Sequence, residues 1–334
     1  MHELLLDYLA CPACGGDLRG SIHEWDGEEA MEGSLDCQGC GSAYALVRGV
    51  PRMNTAMSGL ENVARTFGYE WRSFHEGEFE DDTVFGRTPD EDWSYFLEGL
   101  GVAESDLEGK VVLDAGCGSG RLTRQIGEHG AGIVIGVDIN DAVEHVYRST
   151  RDAENVHIVQ GNIMQLPFKR HAFDLVWSNG VIHHTPSAAA CHRALTAVVK
   201  PGGTLYVWVY ARRFSPFKLA KDVADRIGVS KLPEPALLAL CRVLAYPSLA
   251  LLRLYRACVH LPFVRRTPWL EWTSRRRTLK ELRLTWFDTL SPQYDTTHTE
   301  PEVIGWFERA GFDKIAAIEE PKVGVRGVLR EAAS

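Results

Sequence analysis

The sequence lacks internal repeats and low-complexity tracts, which excludes solenoid, fibrous and largely disordered proteins. Its composition is that of an ordinary globular protein, with 45% hydrophobic and 24% charged residues. A chain of 334 residues has room for about two domains. We therefore expect one large hydrophobic core with at least one smaller companion.

The first residues, "MHELLLDYLACP" (1–12), lack the basic leader and long apolar core of a secretory signal. We expect a cytoplasmic protein, and because the cytosol keeps thiols reduced, the eight cysteines are predicted to be thiols or metal ligands rather than disulfides. The apolar stretch 235–261 is interrupted by three arginines and Pro247. It is therefore not predicted to span a membrane, which needs about twenty uninterrupted apolar residues.

Charge is unevenly distributed along the chain. The net charge is −9, yet residues 211–285 contain sixteen Lys/Arg and five Asp/Glu, a local net charge of +11. The remainder of the chain therefore carries −20. One basic segment is set in an acidic body, and that segment is where an anionic or polyanionic ligand is expected.

Two C-x-x-C pairs lie near the N-terminus, at Cys11/Cys14 and Cys37/Cys40, and each pair is followed by glycine. Tight glycine-assisted turns let two thiolates reach one ion, and a second pair completes a tetrahedral zinc site. A stretch this small has no sizeable core of its own, so a structural zinc ion is the expected role. A redox function of either pair is the weaker alternative, since duplication favours metal binding over a single thioredoxin-type pair.

Strand and helix signals alternate through the middle of the chain. Apolar, β-branched runs such as "VVLDAG" (111–116), "GIVIGVD" (132–138) and "FDLVWSN" (173–179) are separated by helical stretches. This alternation predicts an α/β, doubly wound, Rossmann-like fold with a mostly parallel sheet covered on both faces. After the basic segment, residues 297–318 resume the pattern with a capping box at Thr299 and a strand.

These signals divide the chain into parts. We predict a zinc-ribbon domain at 1–55, an aromatic-rich helical linker or lid at 56–108, and a catalytic domain at 109–334. A basic helical insert at 211–285 lies between two elements of that domain. The aromatic residues of the linker either dock onto the catalytic core or form a lid, for which Tyr69 and Trp71 are candidates.

The turn "KVVLDAGCGSGRLTRQI" (110–126) carries an acid followed by glycines at every second position. Dinucleotide-binding turns space their glycines G-x-G-x-x-G instead, and a P-loop would add a phosphate-binding lysine. Residues 109–210 resemble the ordered motifs of class I S-adenosylmethionine-dependent methyltransferases. "GNIMQLPF" (161–168) corresponds to the adenine-contacting turn, with Asn where the family usually has Asp, and 173–186 corresponds to the fourth motif.

The resemblance implies S-adenosylmethionine as the cofactor. It assigns Asp114 to orienting the glycine loop and the amino group of the cofactor, and Asp138 to the ribose hydroxyls. The implied cofactor-binding residues are Asp114, Gly116, Gly118, Gly120, Asp138, Asn162, Ile163 and Asn179. The N-terminal ribbon in turn resembles the zinc-binding part of a small activator protein of tRNA and protein methyltransferases.

Methyl transfer is an in-line displacement, so the enzyme mainly positions the nucleophile and adds a base where the acceptor carries a proton. His183 and His184 follow the fourth strand, and one of them is a candidate base; the alternative is that the pair packs beneath the cofactor. Tyr294 and His298 are candidates for contact with the acceptor, with turn formation and capping as the alternative.

The insert bears on the acceptor. Its apolar stretch is either a helical cap over the active site or an apolar pocket or membrane-surface helix for a lipid-like or anionic acceptor, with the arginines of 264–277 meeting phosphates. RNA is a rival acceptor because of those arginines, although the nine acids and three bases of residues 1–60 oppose phosphate binding by the ribbon.

A non-catalytic, cofactor-binding partner protein is the third hypothesis for the function, and a nicotinamide oxidoreductase is a weaker one still. We therefore predict a methyltransferase of a small or lipid-like molecule, with peripheral membrane contact as an accompanying hypothesis and no particular protein partner.

Overall fold

The computed structural model describes residues 1–54, 59–79, 83–212, 216–260, 278–318 and 323–331. The chain divides into two compact units. The first, called here the core unit, comprises Met1–Ala64, Trp93–Arg212 and Tyr294–Ser334, and the second, the helical unit, comprises Arg65–Asp92 and Arg213–Gln293. The domain boundaries given above stay a prediction.

The N-terminal part of the core unit is a small antiparallel sheet, called here the ribbon. A short 3₁₀ helix at Glu3–Asp7 precedes it. Its strands follow one another in space as in sequence: β1 (Leu18–Asp26), β2 (Glu29–Cys37), β3 (Ala43–Val47) and β4 (Val50–Pro51). Gly27, with φ of +61°, makes the tight turn between β1 and β2, where a side chain would be strained.

A seven-stranded sheet forms the centre of the core unit, in the order β10-β11-β9-β8-β5-β6-β7. The strands are β5 (Val111–Ala115), β6 (Ile133–Asp138), β7 (Val156–Gln160), β8 (Phe173–Asn179), β9 (Val199–Val209), β10 (Phe312–Ile318) and β11 (Val323–Leu329). The pairs β7–β6, β6–β5, β5–β8 and β8–β9 are parallel, whereas β11 is antiparallel to both neighbours. The predicted doubly wound, mostly parallel sheet is confirmed.

Helices connect the parallel strands because a crossover must pass over a face of the sheet. Two helices, α1 (Glu61–His75) and α2 (Pro89–Leu100), precede β5 and run from one unit into the other. The helices that follow within the core unit are α3 (Arg121–Glu128), α4 (Val143–Thr150), α5 (Ala188–Val198) and α9 (Glu300–Arg309). Thr299 and Glu302 form the predicted capping box of α9, and Gly311 follows the helix at φ +84°.

The aromatic residues of the predicted linker divide between the two units. Phe96 of α2 contacts Trp177 of β8, with ring centroids 5.2 Å apart, and so docks onto the central sheet. Tyr69 of α1 stacks on Phe287 at 5.6 Å, within the helical unit. The linker is therefore not one element, and the role of Tyr69 and Trp71 as a lid stays a prediction.

The helical unit has a hydrophobic core of its own. Its further helices are α6 (Pro216–Arg226), α7 (Glu234–Cys258) and α8 (Leu279–Leu290). The buried residues of this core are Phe74, Phe79, Ala224, Leu237, Leu238, Cys241, Leu284, Phe287 and Leu290. The arginine-rich stretch 264–277 lies outside the described residues.

Helix α7 continues through Pro247, so the proline does not end the helix, although Arg242, Arg253 and Arg256 still interrupt its apolar sequence. Proline removes the N–H that would bond to the carbonyl four residues back, here that of Val243. Val243 is on the solvent-exposed side of the helix, where water can satisfy its carbonyl. By length and composition α7 would suffice to cross a membrane, and only 22% of its most apolar stretch is buried.

Backbone hydrogen bonds attach the ribbon to the edge of the central sheet at β7. The Met53 N–H donates to the Gln160 carbonyl at 2.7 Å, and Arg52 forms a parallel bridge with Gln160. Nearby, the Ala10 N–H donates to the Pro167 carbonyl at 3.0 Å. The ribbon thus covers backbone groups that an edge strand would otherwise leave open to other chains.

Ion pairs reinforce the same attachment. Glu144 of α4 accepts from Arg52 at 2.5 Å and from Arg48 at 2.7 Å. Arg151, just after α4, donates to Glu29 of β2, also at 2.5 Å. These pairs and the backbone bonds to β7 are called the ribbon–core joint below; nothing in the sequence pattern predicted them.

Candidate cofactor and metal sites

The central sheet reverses its strand order at β5, which lies between β6 and β8. The chain leaves β5 and β8 toward opposite faces of the sheet, and the crevice at the carboxyl ends of such strands is where open α/β sheets bind ligands. The loops after β5, β6 and β8 carry most of the residues predicted to hold the cofactor. The fold therefore brings separate sequence motifs to one edge.

The loop after β5 is a turn that only glycine can make. Gly116, Gly118 and Gly120 have φ of +90°, +53° and +75°. A Cβ on Gly116 would lie 2.2 Å from Val181, and one on Gly120 would lie 2.2 Å from Val146. The first glycine lets the loop after β8 approach, and the third lets α3 start against α4.

Asp114 lies in β5 directly below this turn and is buried. Its Oδ2 accepts a hydrogen bond from the Thr123 hydroxyl of α3 at 2.6 Å. Burial raises the pKa of Asp114 to about 6, and the nearby Asp138 carboxylate adds to the rise. A cationic group of a ligand near this turn would favour the ionised form.

Asp138 ends β6 and links two loops. Its Oδ2 accepts from the Gly118 N–H at 3.0 Å, and its Oδ1 accepts from the Asn140 N–H at 3.2 Å and from the Asn140 side-chain amide at 2.6 Å. Desolvation raises the pKa of this carboxyl, and the hydrogen bonds oppose that rise. The carboxylate fixes the glycine turn and retains lone pairs suited to a diol.

Asn162 follows β7 and braces its own turn. Its Oδ1 accepts from the Met164 N–H at 2.9 Å, and its backbone carbonyl accepts from the Gln165 N–H, also at 2.9 Å. The side-chain oxygen predicted to accept from the adenine amino group thus already holds the turn. Ile163 is buried beside it, and Asn179 lies partly exposed at the end of β8.

His183 and His184 lie just after β8, and both are buried. The ring of His183 lies 3.9 Å from that of Tyr210 and 5.6 Å from that of Trp208, measured between centroids. The Nδ1 of His184 bonds to the Tyr294 carbonyl at 3.0 Å. Both histidines are thus packed among aromatic rings and closed to solvent. This is the arrangement of the alternative prediction, in which the pair packs, and not that of a solvent-accessible base.

The segment containing Tyr294 and His298 is joined to the same loop. The His183 carbonyl accepts from the Thr296 N–H at 3.0 Å and from its hydroxyl at 3.1 Å. His298 uses both ring nitrogens, Nδ1 with Glu302 at 2.9 Å and Nε2 with Thr296 at 3.0 Å. The structure therefore brings the four predicted catalytic candidates together, and their chemical roles stay predictions.

Sequence reasoning missed the residues that hold these loops. They are Thr123 under Asp114, Asn140 beside Asp138, Tyr210 against His183, and Thr296. Thr123 carried a signal, since it is a polar residue at a core-facing position of an otherwise amphipathic helix. The pairing of Thr296 with a loop more than a hundred residues away carried none, because only the tertiary fold brings the two together.

The four N-terminal cysteines form a compact cluster in which all Sγ atoms lie within 4.8 Å of one another. Cys11 and Cys40 are 3.7 Å apart and Cys14 and Cys37 are 3.4 Å apart, measured between sulfurs. A tetrahedral Zn–S₄ site with bonds of about 2.3 Å places its sulfurs about 3.8 Å apart. The donor set and its dimensions fit zinc.

The surroundings of the cluster also suit thiolates. The Gly39 N–H points to Cys37 Sγ at 3.4 Å, and Tyr44 Oη lies 3.0 Å from Cys11 Sγ. Hydrogen bonds from the side chain and backbone of Ser42 lower the pKa of Cys40, whereas hydrogen bonds with Cys37 and Cys40 raise the pKa of Cys14. A Cβ on Gly16 would lie 3.2 Å from a cluster sulfur, so the turn passes close to the site.

The sheet order, the glycine turn and the two carboxylates together define the cofactor site of a class I methyltransferase. The turn has no phosphate-binding lysine, which fits a cofactor with no phosphate. Residues 113–207 match the family model described as a methyltransferase domain, and residues 2–49 match the one described as Trm112p-like protein. The chain thus carries an S-adenosylmethionine-dependent methyltransferase domain behind a zinc-ribbon module, and both predictions are confirmed.

Individual relatives cover only part of this chain. It is 28% identical to the sterol 24-C-methyltransferase of Saccharomyces cerevisiae over 54% of the chain and 49% of that protein. It is 31% identical to the ubiquinone biosynthesis O-methyltransferase of Coxiella burnetii over 33% of the chain and 48% of that protein. The chain therefore spans about half the length of these relatives.

A similar solved structure is the magnesium protoporphyrin IX methyltransferase of Synechocystis PCC 6803 with bound S-adenosylhomocysteine. The TM-score is 0.47 at 15% identity, and the match covers 80% of this chain and 98% of that one.

Proposed function

We propose that this protein transfers a methyl group from S-adenosylmethionine to a lipid-like small organic acceptor. The observation that supports it is the glycine turn held between Asp114 and Asp138 at the strand-order reversal. When bound, the cofactor supplies an electrophilic methyl group on a sulfonium sulfur. The tasks of the protein are to hold that group, exclude water and align the acceptor.

Different residues around the turn would contact different parts of the cofactor. Asp138 would accept from the ribose hydroxyls while its bond to the Gly118 N–H keeps the loop closed. Asp114 would complement the positive charge of the cofactor from below the turn. Ile163 and the turn of Asn162 would contact the adenine.

The acceptor side of the proposal rests on the aromatic wall. His183, Trp208 and Tyr210 pack against one another at the ends of β8 and β9, and of the three only Tyr210 is partly exposed. The names of the relatives given above refer to a sterol and to ubiquinone biosynthesis, which are lipid chemistry. Tyr294 is the proposed acceptor contact, and the partly exposed ring of Tyr210, with His183 packed behind it, is the proposed positioning wall.

One experiment separates the acceptor classes. Purified full-length protein is incubated with tritium-labelled S-adenosylmethionine and a host-cell extract, and label is counted in lipid, small-molecule, protein and RNA fractions. We expect label in the organic fraction. Label confined to RNA would replace the acceptor part of this proposal and leave the methyl donor in place.

Cofactor binding is tested on its own by calorimetry. Asp138→Ala removes both the ribose acceptor and the bond to Gly118, so we expect binding about a hundredfold weaker. Asp152→Ala is the matched control, because that carboxylate is exposed and pairs with Arg124 on the surface. Equal affinity of the two variants would contradict the assignment of Asp138.

A cytoplasmic location is part of the proposal. All eight cysteines lie within the described residues and none forms a disulfide, which suits a reducing compartment.

A further inference from the structure

Helix α7 has two apolar faces, and only one of them is buried. The buried face carries Leu237, Leu238, Cys241 and Ala245 and faces the core of the helical unit. The large apolar residues of the other face are exposed: Val243 by 66%, Tyr246 by 59%, Leu251 by 67% and Leu254 by 61%. A helix of a soluble protein normally presents polar residues on that side.

The exposed residues form one continuous stripe. At about 100° per residue, they fall within an arc of about 140° whose centre is nearly opposite that of the buried face. The stripe runs along about three turns of the helix. Contiguous exposed apolar surface of this kind marks a site of interaction with a partner or a membrane.

Positive charge lines one flank of this stripe. Arg253 and Arg256 are exposed on α7, on the side of Tyr246. Residues 235–258 contain no acid, and Glu234 at the start of the helix is paired with Arg65. The surface therefore combines an apolar face with two arginines that pair with no acid of the described residues, as interfacial helices that bind anionic lipid do.

A second helix of the same unit repeats the apolar part of this pattern. On α6 and at its end, Leu219, Val223 and Ile227 recur every four residues and are exposed by 54%, 49% and 74%. The exposed neighbours of this row are of both signs, since the acids Asp222 and Asp225 accompany Arg226 and Lys231. Two helices that follow one another in the chain thus leave apolar rows exposed, and the row of α7 is the one flanked by basic residues.

The other face of α7 is fixed to protein. Trp286 of α8 donates to the Ser248 hydroxyl of that face at 2.9 Å, and Arg242, on the same flank of the helix as Arg253, pairs with Glu78 at 2.8 Å. These polar contacts hold α7 within the helical unit. A position in the plane of the membrane surface satisfies both faces, whereas a crossing of the bilayer would take the charged flank through hydrocarbon.

We propose that the exposed face of α7, with Arg253 and Arg256, docks on the surface of an anionic lipid bilayer. This inference is independent of the methyl acceptor and goes beyond the proposed function. The leucines enter the boundary between headgroups and acyl chains, and the arginines pair with lipid phosphates. The contact is peripheral and reversible.

The test uses the full chain and sedimentation with vesicles. We expect binding to phosphatidylcholine vesicles that contain phosphatidylglycerol, weak binding to phosphatidylcholine alone, and release by high salt. The double variant Leu251→Gln/Leu254→Gln should bind about tenfold more weakly for each leucine. Arg253→Gln/Arg256→Gln should lose about fivefold for each arginine.

Two substitutions outside this face serve as controls. Leu4→Gln removes a leucine of the 3₁₀ helix before the ribbon that is 46% exposed, and Arg330→Gln removes an exposed arginine beside Asp313. Both should bind vesicles as the parent does. Binding of S-adenosylmethionine by calorimetry reports that every variant is folded, and a failure of the methyl-transfer experiment leaves the vesicle result standing.

Three outcomes would overturn the proposal. One is the absence of binding to anionic vesicles. Another is binding that resists alkaline carbonate, which would indicate insertion rather than surface contact. The third is a dimer in sedimentation velocity that the leucine variant dissociates, together with no vesicle binding, since the face would then belong to a second copy of the chain.

Discussion

The ribbon and the helical unit are two additions to one methyltransferase domain, and they differ in charge and in how completely their surfaces are covered. The ribbon is acidic, shares its buried apolar residues with the core of the central sheet, and is held by a cysteine cluster, backbone hydrogen bonds and ion pairs. The helical unit is basic and has a hydrophobic core of its own, yet it leaves large apolar side chains exposed. One addition is closed against its neighbour and the other retains a free surface.

This difference in attachment indicates how the ribbon and the helical unit can serve the same reaction. The joint connects the ribbon to the loop that follows β6, because Asn54 donates to the Ile139 carbonyl at 3.0 Å, one residue after Asp138. A rigid attachment there stabilises a cofactor loop. An exposed apolar surface stabilises nothing within the chain, and its use requires something outside it.

The largest expected effect is the loss of the ribbon when its cysteine cluster is broken. In Cys37→Ser we expect loss of zinc and unfolding of the ribbon, because metal binding supplies on the order of 10 kcal/mol to folding in such small sites. Zinc content by mass spectrometry and scanning calorimetry measure both effects. Cys258→Ser, at the end of α7, is the control and should keep the metal and the transition. A zinc-replete, equally stable Cys37→Ser protein would contradict the structural role.

The next effect compares two carboxylates that each hold several arginines. Glu144 at the joint accepts from Arg48 and Arg52, and its side chain and that of Arg52 are less than a fifth exposed. Glu144→Gln should cost about 3 kcal/mol in urea unfolding, because it leaves the buried Arg52 without its partner.

Glu78→Gln is the counterpart in the helical unit, where Glu78 accepts from Arg242 and Arg283. Arg242 is half exposed but Arg283 is only 20% exposed, much as Arg48 and Arg52 are at Glu144, so we expect a similar cost of about 3 kcal/mol. A much smaller cost for Glu78→Gln than for Glu144→Gln would show that the helical unit tolerates an unpaired arginine better than the joint does.

The joint should also weaken in acid. His157 of β7 is buried beside His2, and burial lowers its pKa from 6.5 to about 4. The unfolded chain therefore takes up a proton that the folded chain resists, so stability is complete above about pH 6.5 and falls as the pH drops toward 4, by up to about 3 kcal/mol.

Urea unfolding across this pH range measures the slope. His157→Gln should flatten it, whereas His23→Gln, at an exposed position of the ribbon, should not. A slope that is unchanged in His157→Gln would assign the acid sensitivity to other groups of the joint, such as the N-terminal amine and Glu29.

Much of the central fold could be read from the sequence because local pattern and tertiary structure agree there. Apolar β-branched strands, alternating helices and the capping box at Thr299 each specify a local conformation, and the sheet follows. The glycine turn was readable for the same reason, since positive φ restricts the residue type.

Features that depend on contacts distant in sequence were not readable. The bond of Thr296 to His183, the pairing of Arg52 with Glu144 and the packing of Tyr69 of α1 on Phe287 each join segments far apart. The charge or aromatic character of a residue predicted that it would form a contact, but not with which distant residue. Pro247 also showed that a helix breaker is tolerated where the freed carbonyl faces solvent.

The smallest expected effect tests whether the ribbon influences cofactor binding while the helical unit does not. Asn54 of the ribbon and Gln160 of β7 both donate to the Ile139 carbonyl, so they hold the loop that begins at Asp138. In Asn54→Ala we expect S-adenosylmethionine to bind about fivefold more weakly, which corresponds to one lost hydrogen bond of about 1 kcal/mol. Gln38→Ala is the matched control, because its amide also donates to a backbone carbonyl, that of Asp36, but within the ribbon. Calorimetry should find Gln38→Ala and Glu78→Gln unchanged. Unchanged affinity in Asn54→Ala as well would mean that the ribbon stabilises the fold without shaping the cofactor site.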